Sequence, residues 1–372
     1  MAHFDIDPPR ADEFEVSLFG PGIGECIVLH LGENEWSIID SCLDKISEEP
    51  IALQYLRHFG ITVESAVKLI AVTHWHDDHI RGTSKLLNKC RQAAFVCPVA
   101  FLADEFSRLI DAFHPRFLSL TTDSGTDEFA DIMMLLRREH AGPRPQAERL
   151  RYAISDKVLL SNHDPQRAFP VTMYALAPSD ASVTLAINSF RELFPKENTP
   201  KRRAVALFPN HVSAAFWVTA GDFHVLLGGD LEVGGNDTLG WRAVVKSKTR
   251  PVGNATIVKI PHHGSKNAYY APMWHNMCDP DPVALVTPFA SGAKPLPSDE
   301  DIKTIKRHTS QLFCTGNPRG LKPPRRDSTS DKFLDSIVLS RRRIEGPMGH
   351  VCVRFSGGDT PRVHMIPPAQ AL

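Results

Sequence analysis

The sequence predicts an α/β fold whose buried strands run toward one edge and end there in metal-ligand residues. Three segments carry this expectation. Val67-Lys68-Leu69-Ile70-Ala71-Val72-Thr73 is followed at once by His74-Trp75-His76-Asp77-Asp78-His79. Val225-Leu226-Leu227 runs into Gly228-Gly229-Asp230, and Ile257-Val258-Lys259-Ile260 runs into Pro261-His262-His263-Gly264. Short apolar runs of this kind read as strands buried on both faces. Imidazole nitrogen with carboxylate oxygen is the donor set that borderline divalent metals prefer. Alternation places His74 and His76 on one side of an extended segment, and Asp78 and His79 then turn back toward a second ion. Glycines before Asp230 let the backbone approach an ion closely, so that its carboxylate can bridge two metals.

The remaining elements follow in chain order. The first eighty residues read as hairpin strands, a helix and the ligand strand. Ile51 to Phe59 has helical spacing after Pro50 and stops at Gly60. Ile80 to Cys90 is expected to form a helix with its N-terminus at the metals, and Ala93 to Val99 the next strand. From about 105 to 204 the chain is read as an insertion above the active-site face. It is helical and polar around Phe129 to Arg138 and Pro-rich at Gly142-Pro143-Arg144-Pro145. It also holds a strand at Val171 to Ala177, a helix at Ser182 to Phe194 and a charged connection containing Lys201-Arg202-Arg203. Val283 to Thr287 and Gln311 to Cys314 read as strands, and Ser298 to Thr309 as a helix capped by Ser298. Between Asp301 and Glu345 eleven lysines and arginines stand against five acids. That local excess, with Arg325-Arg326 and Arg341-Arg342-Arg343, suits a phosphate backbone, and a solvated loop is the alternative.

His74, His76, Asp78 and His79 match H-x-H-x-D-H, and the order of blocks resembles the metallo-β-lactamase superfamily. The nearer resemblance is to the metallo-hydrolase domain of the ComEC-type DNA-uptake proteins. It rests on Phe14 to Leu29, Trp36 to Asp40, Asn210-His211-Val212-Ser213, Gly228 to Leu231 and Pro261 to Ser265. The resemblance implies an αββα sandwich spanning residues 1–372 as one domain, with two divalent ions, zinc or manganese. It implies His74, His76 and His211 on one ion, Asp78, His79 and one imidazole of the 262/263 pair on the other, and Asp230 bridging. His263, directly before Gly264, is read as the ligand and His262 as the residue facing substrate, the reverse being open. For His211 a capping or ligand-orienting role is the alternative to ligation. Asp40 is expected to orient ligands, and Lys266 to neutralise a neighbouring phosphate. Where that family has a His-Pro pair this chain reads Lys294-Pro295-Leu296-Pro297, so a substrate-facing imidazole is expected to be absent.

Composition fits an enzyme with a substantial core: 372 residues, 42% of them hydrophobic, with 42 basic against 43 acidic side chains. A near-neutral chain has no global field to draw nucleic acid or anionic membrane, so any polyanion site must be local. Seven cysteines at 26, 42, 90, 97, 278, 314 and 352 show no paired spacing, which points to a reducing, cytoplasmic setting. Neither a signal peptide nor an apolar run of membrane-spanning length is read, so no membrane partner is expected. Three functions are compatible. The first is a phosphodiesterase or nuclease acting on nucleic acid. The second is a hydrolase of a small ester, lactam or cyclic nucleotide. The third is a metal-binding subunit that acts only with a protein partner.

Overall fold

A computed structural model of the chain describes residues 4–20, 24–44, 46–113, 125–140, 149–192, 209–289, 295–319 and 348–372. The first half supplies β1 (Phe14–Gly20), β2 (Cys26–His30), β3 (Trp36–Ile39), α1 (Ile51–His58), α2 (Val63–Ala66), β4 (Val67–Ala71), α3 (Asp77–Ile80) and α4 (Thr83–Lys89). It continues with β5 (Ala94–Pro98), α5 (Asp104–Phe113), α6 (Gly125–His140) and β6 (Leu150–Ala153). The second half supplies β7 (Lys157–Asn162), β8 (Val171–Ala175), α7 (Asp180–Glu192), β9 (Phe216–Ala220), β10 (Phe223–Leu227), α8 (Gly240–Lys246) and β11 (Ala255–Lys259). After these come α9 (Ala271–Met277), β12 (Cys278–Val286), α10 (Asp299–Ile305), β13 (Leu312–Cys314), β14 (Gly349–Phe355), β15 (Arg362–Ile366) and β16 (Gln370–Ala371).

Among the described residues the strands form two eight-stranded sheets, ordered β15-β14-β1-β2-β3-β4-β5-β6 and β16-β13-β12-β11-β10-β9-β8-β7. Both are built alike. In the first, β14-β1-β2-β3 is antiparallel and β3-β4-β5-β6 parallel. In the second, β7-β8-β9-β10 is antiparallel and β10-β11-β12-β13 parallel.

Strand alternation explains the layers. Phe14, Val16, Leu18, Leu69 and Ala71 of the first sheet meet Val225, Leu227, Ile257 and Leu285 of the second in one shared core. Phe19, Ile70 and Val72 face the opposite way, toward α1, α4, α5, α6 and α7. Leu226, Val258 and Ala284 face α8, α9 and α10 through Trp241, Met273 and Ile305. The result is the expected αββα sandwich, and strands with helices on one face and a second sheet on the other are apolar throughout.

Three expectations about elements are corrected. The helix expected over 80–90 is two short ones, because Gly82 takes φ +84° between α3 and α4, a backbone region glycine enters at no steric cost. The range 105–204 does more than sit above the sandwich. Its strands β6, β7 and β8 pair into the two sheets, and residues 114–124, 141–148 and 193–208, with the Pro-rich and Lys201-Arg202-Arg203 stretches, lie outside the described residues. The helix read over 298–309 has its capping box at Ser298 but ends at Ile305, and in the turn that follows Arg307 N and His308 N bond three residues back, to the carbonyls of Thr304 and Ile305. Both orders of α-helix and strand at the C-terminal end hold, whereas β14 and β15 had no counterpart in the sequence reading.

His30 in β2 is buried, with Nδ1 2.9 Å from the Glu13 carbonyl. Burial pulls its pKa down to about 4 against the help of that carbonyl. A depressed imidazole favours the fold fully above the unfolded value of 6.5 and loses that contribution as pH falls toward 4. The loss is on the order of 3 kcal/mol over that window. Chemical denaturation of wild type and His30→Gln between pH 7 and 4 is expected to show a shallower acid decline in the variant. Parallel declines would remove His30 from the acid response.

Candidate metal centre

The site lies where the C-terminal ends of β3, β4, β10, β11 and β12 come together. Asp40 directly follows β3 with φ +59°, a left-handed conformation that Asp tolerates better than most residues. Its Oδ1 accepts from Thr73 N at 2.7 Å, and its Oδ2 accepts from Thr73 Oγ1 and His79 Nδ1, each at 2.7 Å. Thr73 Oγ1 is also 3.0 Å from His74 Nδ1. One carboxylate therefore fixes two ring orientations. With Nδ1 of both rings acting as donor, Nε2 of His74 and of His79 is left as a lone pair aimed inward.

His263 is held in the same sense from the other sheet. Its Nδ1 is 3.2 Å from Thr287 O and 3.0 Å from Thr287 Oγ1. Its Nε2 lies 3.5 Å from Asp78 Oδ2 and 3.9 Å from Asp230 Oδ2. His79 Nε2 is 3.6 Å from Asp78 Oδ2 and 3.4 Å from Asp230 Oδ2, and His74 Nε2 is 3.7 Å from Asp230 Oδ2. His76 completes the group with Nδ1 2.9 Å from His74 Nε2.

Two backbone devices make this convergence possible. Gly229 takes φ +51°, and a Cβ there would stand 2.4 Å from the Ala214 carbonyl, so only glycine lets the Asp230 turn lie against the start of β9. His262 and His263 both take left-handed conformations, φ +47° and +53°. Such a consecutive pair costs about 1–2 kcal/mol per residue. It separates the two rings, so that His263 is buried and His262 reaches the rim with Nε2 4.0 Å from Asp230 Oδ2 and Nδ1 3.5 Å from Glu232 Oε1.

Three overlapping sets of donors close to within 4.8 Å among the described residues: Glu25, His79 and His263; His74, His76 and Asp230; His74, Asp78 and His79. Buried His79 Nε2, His263 Nε2 and Asp230 Oδ1 have no hydrogen-bond partner. Ligand-type atoms left bare together in one buried cluster are what a metal centre requires, since buried polar groups are as a rule hydrogen-bonded. Electrostatics agrees. Burial alone would depress His79, yet Asp230, Asp78, Asp40 and Glu25 raise it well above 6.5. His74, which burial and the neighbouring His79 and His76 depress, stays well below. Burial would raise Asp78 and Asp230, but His79 and His263 hold both low. The surrounding carboxylates thus make the pocket favourable to positive charge.

The sequence-derived residues sort as follows. His74, His76, Asp78, His79, Asp230 and His263 are brought together, and Asp40 touches His79 directly and His74 through Thr73. His211 faces Glu232, 3.2 Å from Nε2 to Oε2, and is absent from the three donor sets. Its neighbour Asn210 reaches His262 Nε2 at 3.2 Å and Glu232 Oε1 at 3.3 Å. Lys266 is exposed in a 3-10 turn, Lys266–Ala268, outside the cluster. Leu296 pairs with Phe289, whose ring stacks on His263 at 5.0 Å and 21°, so apolar side chains line the wall where an imidazole was expected to be missing. Of the basic segment 301–345, Arg325, Arg326 and Arg341 to Arg343 lie outside the described residues. Sequence reasoning assigned no role to Glu25, Glu232, Thr287 or Lys259. Lys259 carried a usable signal: a lysine inside an otherwise apolar strand.

No family model and no curated relative matches the chain. Solved structures that resemble it include metallo-β-lactamases. One is from Cronobacter sakazakii, a HARLDQ motif mutant, at 16% identity over 59% of this chain and 63% of that one, with TM-score 0.32. Another is MEM-A1, a subclass B3 enzyme from a soil metagenome library, at 14% identity over 70% and 82% of the chains, with TM-score 0.34. A third is a B3 enzyme with an active-site glutamic acid, at 15% identity over 64% and 67%, with TM-score 0.32. The match covers less than two thirds of the length of the first.

Asparagine tolerates the left-handed backbone of Asp40, so Asp40→Asn is expected to fold while losing the acceptor that orients His79. Apparent affinity for Zn2+ or Mn2+, read by competition with a chelating dye, is expected to fall about 10- to 100-fold. Unchanged affinity would show that Asp40 does not orient the donors.

Proposed function

We propose that this protein is a metal-dependent hydrolase of the metallo-β-lactamase superfamily, acting on phosphodiesters, with nucleic acid as the first substrate class. The observation that carries the metal-dependent reading is the convergence of unpartnered His79 Nε2 and His263 Nε2 on the carboxylates of Asp78 and Asp230. His74, His76, Asp78, His79, Asp230 and His263 would hold divalent ions, zinc or manganese, the donor set containing no thiolate. Such ions supply Lewis acidity and lower the pKa of water toward neutrality. Asp40 orients His79 directly and His74 through Thr73 Oγ1, so that Nε2 is the nitrogen each ring turns inward. His262, half-buried at the rim between Asp230 and Glu232, is placed to hold or hand over a proton at a leaving oxygen. The phosphodiester preference is supported by the resemblance of the Phe14–Leu29 and Pro261–Ser265 blocks to the DNA-uptake hydrolases. Hydrolysis of a small ester, lactam or cyclic nucleotide, and activity only within an assembly, are the outcomes that would displace it.

Purified protein is expected to bind divalent metal saturably when titrated with Zn2+ or Mn2+ after dialysis against metal-free buffer. Lack of saturable binding to either would end the metal-dependent reading. Asp78→Ala and Asp230→Ala are each expected to reduce hydrolysis to background, while stability falls only by the share that metal contributes, about 2.7 kcal/mol at a hundredfold excess over Kd. Near-normal turnover in either variant would remove that acid from the site.

Substrate class is read from a panel of single-stranded DNA, duplex DNA, RNA, a chromogenic phosphodiester and a lactam. Polymer binding through Arg325, Arg326 and Arg341 to Arg343 is expected to weaken with salt by about 0.7 to 0.9 in log–log slope per phosphate contact. Replacing the five with Gln is expected to reduce that slope and leave the small phosphodiester unaffected. Equal loss on both substrates would make the segment structural.

A further inference from the structure

Beneath the cluster, an ion pair joins the two sheets. Glu25 precedes β2 with the same parity as Ile27 and Leu29, and Lys259 ends β11 with the same parity as Ile257. All three apolar residues face the shared inter-sheet core, so both charges are aimed into it. There Lys259 Nζ meets Glu25 Oε1, and each side chain is 1% exposed. A buried ion pair rarely stabilises a fold more than apolar side chains of equal volume, so the contacts of these charges decide what the pair does.

Every contact leads to a candidate ligand. Lys259 Nζ donates to the Gly229 carbonyl at 3.0 Å, directly before Asp230, and lies 4.0 Å from Asp230 Oδ1. Glu25 Oε2 accepts from Thr287 Oγ1 at 2.5 Å, the hydroxyl that also touches His263 Nδ1. Glu25 Oε1 is 3.7 Å from His79 Nδ1, and Glu25 N donates to the Asp78 carbonyl at 2.9 Å. Glu25 thus stands behind both imidazoles on the side away from the bare Nε2 atoms, and Lys259 stands behind the Asp230 turn.

We propose that Glu25 and Lys259 are positioning residues that pre-assemble the donors contributed by the two sheets and thereby set the protein's affinity for its divalent metal. Lys259 is a fixed internal cation that balances Glu25, leaving the charge of Asp78 and Asp230 for the metal. The inference rests on the metal-dependent reading above.

The test uses the full chain and two variants. Glu25→Gln/Lys259→Met removes both charges at nearly constant volume, and Thr287→Val spares both charges but cuts the hydroxyl link from Glu25 to His263. Metal-free thermal stability, Zn2+ and Mn2+ affinity by dye competition, and the visible spectrum of the Co2+-loaded protein are measured. Both variants are expected to keep the metal-free melting temperature near that of wild type, to bind metal at least tenfold more weakly, and to shift the Co2+ bands. A purely structural pair would leave affinity and spectrum unchanged in every variant that folds, and affinities within twofold of wild type overturn the proposal. Should the neutral pair not fold, Thr287→Val decides alone by the same criterion. Absence of metal binding by the wild type would overturn the metal-dependent reading itself, which separates the two failures.

Discussion

The site depends on balancing buried carboxylates. Glu25, Asp40 and Asp230 are almost entirely withdrawn from water at one edge of the sandwich, and Asp78 is 14% exposed beside them. Isolated carboxylates in such a place would take up protons rather than stay charged. Here the cations arrive from both sheets. Lys259 answers Glu25, and His79 lies within 4 Å of all four acids. The imidazoles are thus both the charge partners of the acids and the donors left facing inward.

Topology explains why the charges meet at that edge. Next to the site the pairing in each sheet changes from antiparallel to parallel, at β3 in the first and at β10 in the second, and the second sheet turns antiparallel again only at its far edge, where β16 pairs with β13. Asp40 follows β3 and Asp230 follows β10. The next parallel strand, β4 or β11, delivers the imidazoles. Open sheets form crevices at the carboxyl ends of strands where connectivity changes direction, and the sandwich sets two such places against each other. The site is therefore assembled from matching positions of the two halves, with Thr287 after β12 added from the second.

Much of this was legible because the signal was local. The apolar runs before His74, Asp230 and His262 are strands buried on both faces, and of the seven residues in the donor sets all but Glu25 are ones that the ligand pattern picks out. What was not legible depends on distance in three dimensions. That Glu25 faces Lys259 requires the two sheets to be stacked, since neither residue is near the other in sequence. Which of His262 and His263 turns inward depends on two successive left-handed residues, for which only Gly264 gave a hint. Asn210-His211 lies near the cluster as its block suggested, but Glu232 receives the His211 ring, and a pattern of ligand types does not reveal competition from an acid. β6 and β7 were missed because short, partly exposed edge strands lack the apolar continuity of the central ones, whereas the strand read at Val171 to Ala177 is β8.

The place of β14 has a consequence for how the chain is made. β1 is paired on one side by β2, a few residues away, and on the other by β14, where His350 Nε2 reaches Ser17 Oγ at 2.9 Å across 333 residues of sequence. The outer face of β1 also carries Glu15, whose charge is met by Arg354 at 2.7 Å. During synthesis that carboxylate and that strand edge wait for a partner 339 residues further on. Pairings of such long range are slow to form, and an open edge is a template for other chains. The first sheet closes only after β14 has been made, so the nascent chain must be kept from self-association while the whole stretch between β1 and β14 is added.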